Sequence, residues 1–329
     1  VPFPEPISFL AHAKLNLALT VGPPLPAGPR AGHHPIASWM IPIGLADRVT
    51  LTPLPPGSPA RVRVVRDDGA PVDWPVETDL ASRAHRALEQ VSGPLPVEIL
   101  VEKSIPAGGG LGGGSSDGAA VLRGLVRLFG LPIDHDRLVS IAHDLGSDLP
   151  FFLDPARREP GVPPRPALVT GLGEQIERLP ARPIGGPILL IAPPFACPTG
   201  EVYRAFDAAP RPFRPEAVER LARGQEFDPA ALFNDLAPAA RKVRPGLGMV
   251  RDALALGLGR PVHVSGSGST LFCFDDRDEL ARTLAPGSIV RVVHPTYVHL
   301  PPPVPGNGEC GGPPAGHPGA ASGRDRGMR

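Results

Sequence analysis

Apolar side chains run almost unbroken from Ile7 to Val21, interrupted in the second half of that stretch by Lys14, Asn16 and Thr20. A run of this kind predicts a strand, as do Arg48 to Leu54 and Val97 to Val101. Apolar positions spaced three and four apart predict helices over about Asp79 to Val91, Ala119 to Leu131 and Leu138 to Leu145. Beyond Pro166 the pattern predicts strands at Leu168–Val169, Ile188 to Ala192, His263 and Thr270 to Phe274. Helices are predicted around Glu216 to Arg223 and Gly246 to Leu256. Strands and helices mixed without a strict alternation indicate an α+β protein. A chain of 329 residues buries a substantial core and predicts two domains, here 1–165 and 166–300. From Pro301 onward proline, glycine and a basic end displace the large apolar residues, so 301–329 reads as a disordered tail.

One segment breaks both rhythms. Ile105 to Ala120 reads IPAGGGLGGGSSDGAA, with six glycines in seven positions. Such a run cannot pack a core, and glycine loses the most backbone freedom on folding. An anion compensates that cost, because glycine lets successive N–H groups turn inward and the following Ser-Ser-Asp starts a helix with Ser115 or Ser116 as cap. A helix N-terminus is a ready phosphate site. No Lys-Ser or Lys-Thr follows the last glycine, which excludes a Walker A loop. Gly108, Gly110 and Gly113 satisfy Gly-x-Gly-x-x-Gly, but in so dense a run the match carries little weight.

Pro-x-Gly-Gly-Gly-Leu-Gly-Gly-Gly-Ser-Ser-Asp resembles the phosphate loop of the GHMP kinases, in the form typical of those that phosphorylate 4-diphosphocytidyl-2-C-methyl-D-erythritol. Three further segments resemble the same family in the expected order: Ala13 to Leu17, Leu145 to Phe152 and Ser265 to Ser269. Together they span about Phe9 to Asp275. The resemblance implies a two-domain fold with the active site between the domains, and ATP-dependent phosphorylation of the 2-hydroxyl of that substrate in the non-mevalonate isoprenoid pathway. Two alternatives stay open: a different small-molecule alcohol, or a nucleotide-binding module with weakened catalysis.

Phosphoryl transfer to an alcohol needs held phosphates, neutralised charge and a group that takes the hydroxyl proton. The resemblance assigns ATP binding to Lys103, Pro106, Gly108, Gly109, Gly110, Leu111, Gly112, Gly113, Gly114, Ser115 and Ser116. It makes Asp148 the general base, with Lys14 beside it to favour the developing alkoxide. Taken alone, Asp148 reads equally as a turn cap before Pro150, and Lys14 as a solvated strand lysine. Asn16 shares the strand face of Lys14 because strand side chains alternate, and can bond the acceptor. His33 and His34 fall in the family's cytidine loop, where His34 matches the base-edge reader and His33 replaces a stacking tyrosine; Ala31 and Pro35 also depart. Thr199 and Tyr203 match the second cytidine wall, and Gly266, Ser267 and Gly268 the third motif. Asp79 stands where the family has asparagine for adenine, and an aspartate cannot donate to a ring nitrogen.

Lysine plus arginine equals aspartate plus glutamate at 33 each, so no global charge directs the chain to nucleic acid. The expected partner is a small-molecule substrate. Cys197, Cys273 and Cys310 form no CxxC pair, which argues against a disulfide framework or zinc site and suits a cytoplasmic protein. No membrane span or signal peptide is expected. Asp134, His135 and Asp136 read as a helix start, not a metal cluster; the expected metal is magnesium carried in by ATP with most of its water ligands. Proline reaches 47 residues, clustered at 23–35, 53–59, 155–166 and 301–318. The first three clusters read as surface connections, and 155–166 as the seam between domains. Oligomeric state leaves no mark on the sequence.

Overall fold

The computed structural model describes residues 5–157 and 159–296; the predicted tail and Cys310 lie outside them. The chain runs β1 (Ile7–Val21), β2 (Ile36–Pro53), β3 (Arg61–Arg66), α1 (Leu80–Ser92), β4 (Val97–Lys103), α2 (Gly113–Phe129), α3 (His135–Leu145) and α4 (Leu149–Phe152). It continues with β5 (Ala167–Gly171), β6 (Gln175–Arg178), β7 (Ile188–Ala192), α5 (Thr199–Asp207), α6 (Pro215–Arg223), β8 (Phe233–Asn234), α7 (Ala237–Val243) and α8 (Pro245–Leu258). β9 (His263–Val264), β10 (Leu271–Phe274), α9 (Asp278–Leu284) and β11 (Ile289–Val293) complete it.

The first sheet has the order β3-β4-β2-β1-β8, with β5 and β6 added along the first half of β2. The proline-rich stretch 155–166 thus leads back into the same sheet. β2 is the spine: it pairs with β1 along its length, with β4 through Arg48 to Pro53 and with β5 through Ile36 to Met40. The pattern exposed only its second half, because Pro42 interrupts the first. That proline lies opposite Lys14, where the β1–β2 pairing is already irregular. The second sheet, β11-β7-β10-β9, is antiparallel throughout.

β1 is apolar on both faces because it separates two cores. Phe9 and Ala11 face the core under α1 and α2. Ala13, Leu15 and Leu17 face the second core, and Leu19 and Val21 return to the first. These reversals coincide with register shifts at His12/Lys14 and Asn16/Ala18. The two shifts, a bulge of β1 at the second and extra β2 residues at the first, therefore turn one short segment over relative to its flanks. Lys14 and Asn16 are left facing the helices.

Leu88 on α1 is fully buried in the first core. Leu88→Ala is expected to lower unfolding free energy by about 2–5 kcal/mol, measured by urea denaturation, with turnover at saturating substrate unchanged. His263 on β9 lies 5.3 Å from the Phe272 ring, and burial lowers its pKa to about 4. The unfolded chain then takes up a proton that the folded chain refuses as pH falls from the ordinary 6.5 toward 4. Stability falls in that window by up to roughly 3 kcal/mol. Comparing urea midpoints at pH 7 and pH 4.5, His263→Gln should show a smaller drop than the parent chain.

Candidate active site

The glycine loop links β4 to α2, and its geometry explains its composition. The α2 N-cap is Gly112 in the left-handed region, with φ +70°, and it makes no side-chain cap bond. Ser115 and Ser116 lie inside the first turn and do not cap it. The helix starts early because the glycines continue as helix, and its first intrahelical bond is Ser116 N–H to Gly112 O at 2.8 Å. The amides of Gly113, Gly114 and Ser115 precede that bond and have no intrahelical acceptor. A Cβ on Gly112 would lie 3.0 Å from Lys14 Cγ and from Phe152 Cζ. A side chain there would push both away.

The loop is also pinned from the third motif. Ser265 Oγ donates to Gly110 O at 2.9 Å, and Thr270 N–H donates to Gly109 O at 3.1 Å. A Cβ on Gly110 would stand 2.3 Å from Ser265 O, so only glycine permits this approach. Leu111 is buried, and its carbonyl accepts from Lys14 N–H at 2.9 Å. Three sequence-distant segments thereby meet at one place.

Lys14 is 3% exposed. Its Nζ donates to Asn16 Oδ1 at 2.5 Å and lies 3.3 Å from Asp148 Oδ2. It is no solvated strand lysine. Asn16 Nδ2 in turn donates to Ser38 Oγ at 2.8 Å, and Ser38 Oγ donates to Ala18 O at 2.9 Å. This chain fixes the amide so that its oxygen faces Lys14. Ser38 carried no sequence signal, because its importance depends on the register between β1 and β2. Asp148 holds the N-cap position of α4 but makes no side-chain cap bond; its carboxylate is 29% exposed.

These groups line a cleft of about 700 Å³ together with Gly108, Gly110, Ser115, His33, His34, Thr199, Tyr203, Gly266 and Ser267. Thr199 and Ser267 hydroxyls are 3.0 Å apart. Asn234 Nδ2, missed in the sequence, donates to Val264 O and Gly266 O at 2.8 and 2.7 Å and so holds the third motif in place. Gly268 is one step removed, its N–H donating to Ser265 O at 2.9 Å.

The two histidines separate. His33 is exposed, its Nδ1 donating to Arg30 O at 3.1 Å. His34 is buried: its Nδ1 donates to Gly22 O at 2.8 Å, which directs Nε2 toward Asp207 Oδ1 at 3.3 Å. It is His34 whose ring meets Tyr203, with centroids 5.0 Å apart. Burial, with the Asp148 carboxylate adding to it, raises the Tyr203 phenol above its ordinary pKa and keeps it protonated.

Other predicted positions lie beneath or beside the cleft. Lys103 is buried under the loop, its ammonium bonded to Asp47 and to Asp117 Oδ2, the latter at 2.6 Å. Burial opposes its charge, but Asp117 and Asp47 outweigh it and hold the pKa above the ordinary value. Asp47 Oδ1 also accepts the Ser104 and Ile105 amides at 2.5 and 2.8 Å. Gly113 packs on Ile105 and Gly114 on Leu80, while Pro106 is half-buried. Asp79 caps α1, accepting from Ala81 N–H at 2.9 Å and from Trp74 Nε1 at 3.1 Å. Asp134 caps α3, accepting from Arg137 N–H at 2.8 Å. Among the described residues no cluster of three or more histidine, cysteine or acidic side chains could hold a metal ion, and no helix is long and apolar enough to cross a membrane.

Residues 79–154 match the GHMP kinases N terminal domain. A relative from Anaeromyxobacter sp. (strain Fw109-5), named 4-diphosphocytidyl-2-C-methyl-D-erythritol kinase, is 39% identical over 283 residues, 83% of this chain and 84% of the relative. The chain belongs to that kinase family. A second member, from Symbiobacterium thermophilum, is 35% identical and covers 83% of this chain and 92% of its own. A crystal structure of 4-(cytidine 5'-diphospho)-2C-methyl-D-erythritol kinase is 32% identical with a TM-score of 0.64, covering 87% of this chain and 99% of that one. Homoserine kinase from Cytophaga hutchinsonii, at 18% identity and a TM-score of 0.61, shares the fold alone. The α+β GHMP architecture expected from the sequence is therefore the one adopted.

Proposed function

We propose that this chain transfers the γ-phosphoryl group of ATP to the 2-hydroxyl of 4-diphosphocytidyl-2-C-methyl-D-erythritol, a step of non-mevalonate isoprenoid synthesis. The observation that carries the reading is the Lys14 Nζ to Asp148 Oδ2 approach of 3.3 Å, in one cleft with the glycine loop and the His34–Tyr203 pair. Asp148 accepts the proton of the acceptor hydroxyl, and the Lys14 ammonium offsets the negative charge that grows on that oxygen. The free amides of Gly113, Gly114 and Ser115 and the α2 dipole meet the phosphate charge.

Asn16 acts in this scheme through Lys14, since both ends of its amide are already bonded within the protein. Lys103 supports the loop from below and leaves its surface to backbone donors. Tyr203 and His34 form the apolar, partly aromatic wall for a cytosine, a role that the exposed His33 is less placed to fill. Retention of a buried lysine beside an accessible carboxylate supports a working catalyst over a weakened binding module.

Magnesium fits as an ion carried by the nucleotide. Ser116 Oγ and Asp117 Oδ1 are buried without a hydrogen-bond partner and Ser115 lines the cleft, while Asp117 Oδ2 is bonded to Lys103. Ser115 and Ser116 would supply hydroxyl ligands, and the ion would neutralise phosphate charge.

Asp148→Asn is expected to keep ATP binding by calorimetry while kcat falls by about 10²–10⁴-fold, because the amide cannot take the proton. Near-parental turnover with saturating acceptor would remove the base assignment. Tyr203→Ala should raise KM for the cytidine substrate by the worth of one stacked base, about 1–3 kcal/mol, and leave KM for ATP unchanged. Equal use of an acceptor lacking cytosine would overturn the substrate assignment and leave a broader alcohol kinase.

A further inference from the structure

The carboxylate at Asp148 rides on a single helical turn, α4, which is too short to hold its own position. Its free C-terminal carbonyls are gripped by two guanidinium groups. Arg178 Nη2 donates to Phe151 O at 2.6 Å, and Arg157 Nη1 donates to Phe152 O at 3.1 Å. The Arg157 fork reaches further: Nη2 donates to Leu10 O at 3.3 Å, and Nε donates to Val162 O. Leu10 is on β1, four residues before Lys14. One buried side chain thus ties the turn that carries Asp148 to the strand that carries Lys14.

The surrounding loop is built to hold that fork. Asp154 accepts from Arg165 through Nη2 and Nε, both at 2.9 Å, and from the Arg165 and Ala156 amides at 2.8 and 3.0 Å. Those bonds and the Arg178 charge outweigh burial and hold the Asp154 carboxyl down to about 2. The loop also docks on β1 itself: Leu10 N–H donates to Pro160 O at 3.3 Å, and His12 Nε2 lies 3.4 Å from Gly161 O. Phe152, whose carbonyl Arg157 holds, presents its ring to Gly112 in the phosphate loop.

We propose that Arg157 is a positioning residue for phosphoryl transfer, setting the separation between Asp148 and Lys14 by bridging Phe152 O and Leu10 O. The inference rests on the kinase reading above and extends it to the proline-rich stretch 155–166, which the sequence alone reads as a surface connection and the seam between domains. Lysine cannot reproduce the bridge, because its donors radiate from one atom and do not span two carbonyls as a planar fork does.

The test uses the full chain, with ATP and 4-diphosphocytidyl-2-C-methyl-D-erythritol. Arg157→Met and Arg157→Lys are compared with the parent and with Leu88→Ala, whose loss of stability is unrelated to the bridge. Both Arg157 variants are expected to lose about tenfold or more in kcat with KM for each substrate within twofold of the parent, while Leu88→Ala keeps its kcat. In an Asp148→Asn background Arg157→Met should cost nothing further, since the group it positions is gone. Hydrogen exchange of the 149–153 amides should accelerate at least tenfold in the Arg157 variants and stay at the parental rate in Leu88→Ala. If Arg157→Met does not fold, Arg157→Lys is held to the same criteria. Parental kcat, additive loss with Asp148→Asn, or unchanged exchange at 149–153 each overturns the bridge. A parent chain without turnover overturns the kinase reading, and the exchange measurement still decides the bridge.

Discussion

A lysine ammonium held inside a protein costs several kcal/mol unless charge and hydrogen bonds replace its water. Lys14 meets that requirement with Asn16 on its own strand and Asp148 on another element. Most of the surrounding architecture follows from keeping those partners within reach. Ser38 orients Asn16, the loop carbonyl of Leu111 takes the Lys14 amide, and Gly112 leaves room for the lysine stem. The approach of Lys14 to Asp148, on which the proposed chemistry rests, and the burial of one charge are the same structural problem.

Beneath the phosphate loop a second buried lysine is treated differently. Lys103 is given two carboxylates, which balance its charge within the protein. Asp47 uses its remaining oxygen to hold the backbone at Ser104 and Ile105, where the chain leaves β4 for the loop. The proposed anion recognition above this base falls to backbone amides, which lose little on binding because they are already fixed.

The sequence made the chemistry more legible than the frame. The glycine run around Leu111 and Lys14 each broke a local pattern, and such breaks are visible in one dimension, whereas Asp148 stood out only through the family resemblance. The even spacing of Lys14 and Asn16 correctly placed them on one strand face. The bulges that decide which core that face meets left no mark, since either side of β1 is apolar. The first half of β2 was hidden by Pro42, and α5 by a short helix opening on Pro198 without a side-chain cap. Ser115 and Ser116 looked like caps because their residue type favours that role, yet glycines upstream had already entered the helix. Ser38 and Asn234 are ordinary residues whose roles exist only after strands pair.

The two register shifts between β1 and β2 set a limit on how this protein can be improved. Evening out the two shifts, one extra β1 residue between Asn16 and Ala18 and two extra β2 residues between Pro42 and Ala46, would give a straighter strand with better ladder pairing. It would also turn Lys14 and Asn16 into the apolar core behind the sheet, away from Asp148. Irregularity here holds the proposed site together, and a search for greater robustness that starts by idealising the backbone would take that site apart first.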